Sequence, residues 1–538
     1  MVTKRSAPFL IAWLTACGPS APEPPAALAP DVPVAVSGGS VTGALTETNP
    51  DVIAFKGLPY AAPPVGEFRW RPPAPVEPWS GVFAATEYGA SCMGGGGRGL
   101  ISDEDCLYLN IWTQRDKTEP QPVMVWIHGG GFTSGTGSGA SYVGTHLAER
   151  GVVAMTINYR LNVFGFMAHP ALSAESEYGG SGNYGLMDIV AALEWVRDNV
   201  AAFGGDPSRV TIFGESAGAG AVMSTMLVPQ AEGLFHRAIS ESDWIYGWDR
   251  GLSEAVRGMP SAEAGGARVA DLLEVTSLAE MRAAPAAEVL EVFRQVEYSP
   301  FTREGYGWGP NVDGHVIPDD PVAMYESGRQ HDVPLIVGMN GNEGSLFTRG
   351  LGIDEVGEFE ALVRSAYPAH ADQLLELYAV SSDAEAPAGI DHLVHDMYFA
   401  GPVRLHARAH ASVSSPAWLY HFVRVPPTAW GGTMGSHHTA EIRYVFGNLT
   451  GPGTYAPPLA EEGEAPSPVD LSISDAMMRY WVQFATTGDP NVDGLPGWPE
   501  YDPASDQHLE IGEQIRGGHG AHRAGGELFD VVEAWKRR

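Results

Sequence analysis

The chain has 538 residues, 44% of them hydrophobic and 18% charged, which is enough apolar side chain for a sizeable core. Its 65 acidic residues outnumber 32 basic ones, for a net charge of −33. A field of that sign repels phosphate backbones and anionic lipid, which argues against a nucleic-acid partner and suits a strongly solvated surface.

The N-terminus is a targeting segment. Lys4 and Arg5 precede a short apolar run, residues 7–16. That run is about half the ~20 residues a membrane span needs. It ends in Leu14-Thr15-Ala16-Cys17, which resembles a bacterial lipoprotein lipobox. The resemblance implies a signal peptide over 1–16, lipid on Cys17 and a place in the bacterial cell envelope, at the outer membrane or cell surface. The alternative is a plain secretory signal with a chance cysteine. The Pro/Ala-rich stretch 17–33 is expected to be an extended tether, with the folded domain over 34–538. Three cysteines are an awkward number for an exported protein. If Cys17 carries lipid, Cys92 and Cys106 remain as a pair. A bridge closing a loop of that size would stabilise the fold by ~3 kcal/mol. No other apolar run is long enough to span a membrane, so membrane contact is expected through the anchor alone.

Further along, residues 123–127 (VMVWI) form a short apolar run ending in His128-Gly129-Gly130-Gly131, the pattern of a buried strand and a tight turn. Residues 151–158 read as another buried strand. Residues 188–200 carry apolar side chains at helical spacing until Gly204-Gly205-Asp206-Pro207 stops them. Strands follow at 210–213, 333–338 and 418–425. Strands alternating with helices predict an α/β fold with a mostly parallel central sheet and helices on both faces. Residues 250–300 and 350–415 read as helical insertions that roof a pocket.

The strongest chemical signal is Gly214-Glu215-Ser216-Ala217-Gly218. It fits G-x-S-x-G and lies between a strand and a helix, the context in which a serine is forced onto a sharp turn and exposed at the end of a sheet. The backbone N–H groups of Gly130, Gly131 and Ala217 are the candidate oxyanion donors, since glycine lets the main chain approach a reacting carbonyl closely. In this arrangement an acid and then a histidine follow the serine along the chain. Glu343 sits directly after the 333–338 strand, where sites form in open α/β sheets. Two adjacent histidines, His437 and His438, lie in the loop after the 418–425 strand, and spacing alone does not choose between them.

These motifs resemble those of the type B carboxylesterases, a family that also contains the cholinesterases. The resemblance covers nearly the whole mature chain. Residues 55–61 (FKGLPYA) look like the family's opening segment, 104–111 (EDCLYLNI) like one signature, and 203–207 with 213–218 like the other. It implies an α/β-hydrolase fold, with Ser216 as nucleophile, Glu343 as its acid and Gly130, Gly131 and Ala217 as the oxyanion hole. It also implies a Cys92–Cys106 disulfide, and in Glu215 a carboxylate that organises the site. The family's histidine is followed three residues later by Glu, then by an aromatic-Val-Phe-Gly segment. Glu441 and Tyr444-Val445-Phe446-Gly447 set that register, which selects His438 and leaves His437 as an exposed or neighbouring group. The implied activity is hydrolysis of small- to medium-chain or aryl esters through an acyl-enzyme, without cofactor. An interfacial lipase or polyester hydrolase is the second reading. A non-catalytic adhesion member is the third, although such members usually lack the serine.

Two patterns are set aside. Residues 489–500 match a calcium-loop spacing, but Pro490, Pro496 and Pro499 break it, and it reads as a structural loop. His392 and His395 share a helical face without the glutamate of an HExxH motif, so no metal site is expected. There are also two departures from the family. Ser242-Asp243-Trp244 replaces the usual Ser-Gly-Ser, whose second serine helps hold the triad acid in some members. The short loop between Cys92 and Cys106 lacks the choline-binding tryptophan, which argues against a cholinesterase.

Overall fold

The computed structural model describes residues 1, 27–96, 101–243, 250–256, 259–296, 307–451, 453, 459–460 and 465–536. Cys17, the 1–16 segment, the start of the tether and Trp244 lie outside them. Within the expected tether, Leu28 is buried, its N–H donates to the Arg115 carbonyl (3.0 Å) and its own carbonyl accepts from Arg115 Nε (3.3 Å). The packed body thus begins several residues before position 34.

Eleven strands make one sheet: β1 (Ala44–Leu45), β2 (Val52–Pro59), β3 (Tyr108–Gln114), β4 (Gln121–Ile127), β5 (Val153–Ile157), β6 (Gly205–Glu215), β7 (Arg237–Glu241), β8 (Leu335–Asn340), β9 (Ala417–Phe422), β10 (Gln507–Ile511) and β11 (Ile515–His519). Their spatial order is β11-β10-β9-β8-β7-β6-β4-β5-β3-β2-β1. Strands β4 to β10 run parallel, while β1 to β3 and β11 join antiparallel at the two edges. This is the α/β-hydrolase arrangement that the sequence predicts.

The alternation along β4 shows why both faces need cover. Val123, Val125 and Ile127 enter one hydrophobic cluster with Ile189, Leu193 and Val196 of helix α1 (Tyr184–Asn199). Met124 and Trp126 enter the opposite cluster, with Met477, Trp481 and Phe484 of the helix Pro468–Thr487. A strand apolar on both faces is what a helix-covered parallel sheet requires. Gly204, at φ 78°, ends the turn after α1 in the left-handed region and feeds β6.

The two insertions are helical. The first holds Ala262–Leu272, Leu278–Ala283 and Ala286–Val296. The second holds Val356–Ala366, Ala371–Leu377 and Ala386–His395, then a π-helical turn (Asp396–Ala400) and Gly401–Ala409. The second lies against the carboxyl end of the sheet, where Phe399 packs 4.8 Å from the His438 ring. Cys92 and Cys106 form a disulfide. Among the described residues no helix is long and apolar enough to cross a membrane.

Candidate active site

Ser216 stands between β6 and helix α2 (Ala217–Thr225) at φ 59°, ψ −125°, a conformation that L-residues avoid. Tight packing imposes it. A Cβ on Gly214 would meet the Ile127 carbonyl at 2.6 Å, and one on Gly218 would overlap the same oxygen. The elbow is thus wedged against the end of β4, and the spacing of the two glycines follows from that wedge. The Ser216 N–H is anchored on the Glu241 carbonyl at 2.9 Å. Its side chain faces a cavity of about 250 Å³ lined by Gly130, Gly131, Glu215, Leu346, Phe347, His438 and Thr439.

The turn after β4 holds the candidate donors. Gly130 and Gly131 sit at φ 110° and 65°. Among the described residues no protein acceptor takes their N–H groups, and Ala217 opens α2, so its N–H has no intrahelical acceptor either. His128, ahead of the glycines, has a different task. It is buried, stacked on Tyr159 at 4.6 Å, and its Nδ1 meets the Gly129 carbonyl at 2.8 Å. Burial lowers its pKa to about 4, so the ring is neutral packing.

Glu343 follows β8 and is fully buried. Its Oε2 accepts from His438 Nδ1 at 2.7 Å. Its Oε1 accepts from Ser242 Oγ and from the Asn340 N–H, both at 2.6 Å. These bonds fix the carboxylate, and the carboxylate fixes the imidazole: with Nδ1 donating to Glu343, the lone pair of His438 lies on Nε2, within the cavity that Ser216 lines. Ser242, the serine that the altered segment keeps, is thus one of the groups that hold Glu343. Asp243, where the family has glycine, is buried against His406 Nδ1 at 2.6 Å.

His437 turns away from this set. It is buried, not exposed, and its Nδ1 contacts the His438 carbonyl at 2.5 Å, while its own carbonyl accepts from Asn340 Nδ2 at 3.0 Å. It packs edge-on to Trp430, 6.1 Å between rings.

Four glutamates, Glu215, Glu241, Glu343 and Glu441, are buried together behind the site. Burial, then the neighbouring carboxyls, pushes Glu215 and Glu241 well above the ordinary carboxylate range and Glu441 up to about 8. Glu215 Oε1 lies 3.1 Å from His438 Nε2, and burial beside the other carboxyls disfavours a negative charge there. Glu441 Oε2 accepts from Asn340 Nδ2 at 2.5 Å, and its Oε1 lies 3.3 Å from Ser242 Oγ. Glu241 Oε1 accepts from Trp481 Nε1 at 2.7 Å. Sequence reasoning found Glu215 but missed Glu241 and the second role of Glu441. A glutamate ending a short apolar strand, residues 238–241, was the available signal. It also missed His395, whose Nδ1 accepts the Glu343 N–H at 3.1 Å.

The calcium-like stretch forms a turn closed by its own groups. Asp489 Oδ1 accepts from the N–H and Nδ2 of Asn491, and Asn491 Oδ1 accepts the N–H of Trp498.

The sequence model of the carboxylesterase family matches residues 30–524. The chain is 36% identical over 486 residues to fumonisin B1 esterase of Sphingopyxis macrogoltabida, covering 89% of this chain and 87% of that protein. It is 32% identical over 485 residues to para-nitrobenzyl esterase of Bacillus subtilis strain 168, covering 87% and 93%. A solved structure of a PNB esterase superposes with a TM-score of 0.77 at 29% identity, over 92% of this chain and 99% of the other.

Proposed function

The chain belongs to the carboxylesterase family and is a serine hydrolase of carboxylic esters, and on that premise we propose that Ser216, His438 and Glu343 carry the reaction, on small- to medium-chain or aryl esters. The observation that carries this reading is the buried contact of Glu343 Oε2 with His438 Nδ1 beside the strained Ser216 elbow. His438 Nε2 takes the Ser216 proton as the oxygen attacks the ester carbonyl. Glu343 keeps the tautomer and stabilises the imidazolium. The N–H groups of Gly130, Gly131 and Ala217 receive the oxyanion, each such donor being worth on the order of 3 kcal/mol in the transition state. His438 returns the proton to the departing alcohol, and water, activated the same way, releases the acid.

The substrate size rests on the cavity. About 250 Å³ lined by Leu346 and Phe347 is at the small end of ligand pockets. A p-nitrophenyl ester series from acetate to palmitate tests this, with Ser216→Ala as control. The expected optimum lies at short or medium chains. Activity that rises sharply above the solubility limit of long esters would replace this reading with the interfacial one.

The N-terminal segment supports export and a lipid anchor at Cys17. With Cys92 bonded to Cys106, Cys17 is the remaining cysteine of the chain. Mass spectrometry of the mature protein tests it: an N-terminal peptide starting elsewhere or lacking lipid refutes the anchor.

A further inference from the structure

Away from the proposed catalytic groups, β9 and β10 bring three metal-ligating side chains to one face of the sheet. In the parallel register His421 pairs with Glu510, and His508 precedes Glu510 by two residues. Residues i and i+2 of a strand share a face, as do paired neighbours. His421, His508 and Glu510 therefore converge, each offering a ligand atom within 4.8 Å of the others. His508 is 3% exposed, and its Nδ1 has no hydrogen-bond partner; the buried Nε2 of half-buried His421 has none either. Buried polar atoms are ordinarily satisfied, so two orphaned imidazole nitrogens beside a carboxylate ask for an occupant.

We propose that His421, His508 and Glu510 form a binding site for one first-row divalent metal ion, of the Zn²⁺ class. Two imidazoles and one carboxylate are a recurring ligand set for such ions, with the remaining positions left to water. Closing the set to bonding distance needs rotation of Glu510, whose side chain is 25% exposed. Gly518 on β11 faces His508, and a Cβ there would overlap its ring. Arg516 now holds Glu510 Oε1, by Nε at 2.8 Å and by the guanidinium NH2 at 2.6 Å. Arg516 is 65% exposed, and an exposed pair of this kind is weak and displaceable.

A neighbouring group, His395, Asp396 and His522, is also close enough to share an ion, but its chemistry differs. His395 Nδ1 accepts the Glu343 N–H, so its proton is on Nε2 and no lone pair is left for a metal there. Asp396 is taken by Tyr378 OH and His522 Nδ1, both at 2.7 Å. The strand site, unlike the His392 and His395 pair on one helix, depends on the β9–β10 register.

The test is calorimetric titration of the tag-free, chelator-stripped full chain with Zn²⁺, repeated with Co²⁺ for its visible spectrum. One equivalent is expected, with a rise in Tm that saturates at that ratio. Glu510→Gln and His421→Gln each lower the affinity at least about tenfold. Arg516→Gln raises it, by removing the competitor for Glu510, and His395→Gln leaves it unchanged. Absence of stoichiometric binding to wild type overturns the site, as does binding that survives Glu510→Gln or is lost on His395→Gln. Should His421→Gln fail to fold, Glu510→Gln and Arg516→Gln, moving affinity in opposite directions, still decide.

Discussion

Replacing Ser242 with alanine should lower kcat and leave KM nearly unchanged. Ser242 Oγ donates to Glu343 Oε1 at 2.6 Å, and the Asn340 N–H is the other donor to that oxygen, also at 2.6 Å. A hydrogen bond to an ionised group contributes about 1.5–3 kcal/mol. Glu343 stabilises His438 most when the imidazole is charged, so the loss falls mainly on the transition state. At 1.36 kcal/mol per decade this is about a 10- to 100-fold fall in kcat. The void is small, and the backbone at φ 57° is no worse for alanine than for serine, so the fold survives. Steady-state kinetics on p-nitrophenyl butyrate, with urea unfolding as a check, measures it. A folded variant with kcat within about twofold of wild type, or an effect confined to KM, refutes the proposed support of Glu343 by Ser242.

Further outcomes follow from the same geometry. His438→Ala should cost about 10⁴-fold or more in kcat, and His437→Ala far less; the reverse order would overturn the assignment of the base. Gly218→Ala drives a Cβ into the Ile127 carbonyl, and thermal denaturation should show a loss of about 1–3 kcal/mol. Glu441 keeps its proton in the folded state up to about pH 8, whereas the unfolded chain releases it near pH ~4.3. The folded state therefore binds more protons between those values, and stability falls as pH rises through that window. Urea unfolding at pH 6 and pH 9 should show the fall in wild type and a smaller one in Glu441→Gln. An equal slope in both would contradict the buried-acid reading.

The central strands and the serine elbow were legible in the sequence because they rest on local rules: apolar runs for strands buried on both faces, and glycines where a Cβ has no room. The choice between His437 and His438 was not local. Both lie in one loop and both are buried, and a family register, not spacing, separated them. That Ser242 holds Glu343 was not legible, because sequence order does not say which serine reaches across from β7 to the loop after β8. Glu241 and Glu441 looked like ordinary charged residues. Their meaning depends on four acids from four segments meeting in one buried volume, and only the tertiary structure brings them together. His421 and Glu510 are 89 residues apart and become neighbours only through strand pairing.

The central claim is that Ser216 forms the acyl-enzyme. Its most direct test is to label the protein with a radioactive organophosphonate ester and map the adduct by mass spectrometry. The account predicts one adduct per chain, on Ser216, abolished by Ser216→Ala and much slowed in His438→Ala. Labelling at another residue, or esterase activity that survives Ser216→Ala, would contradict it.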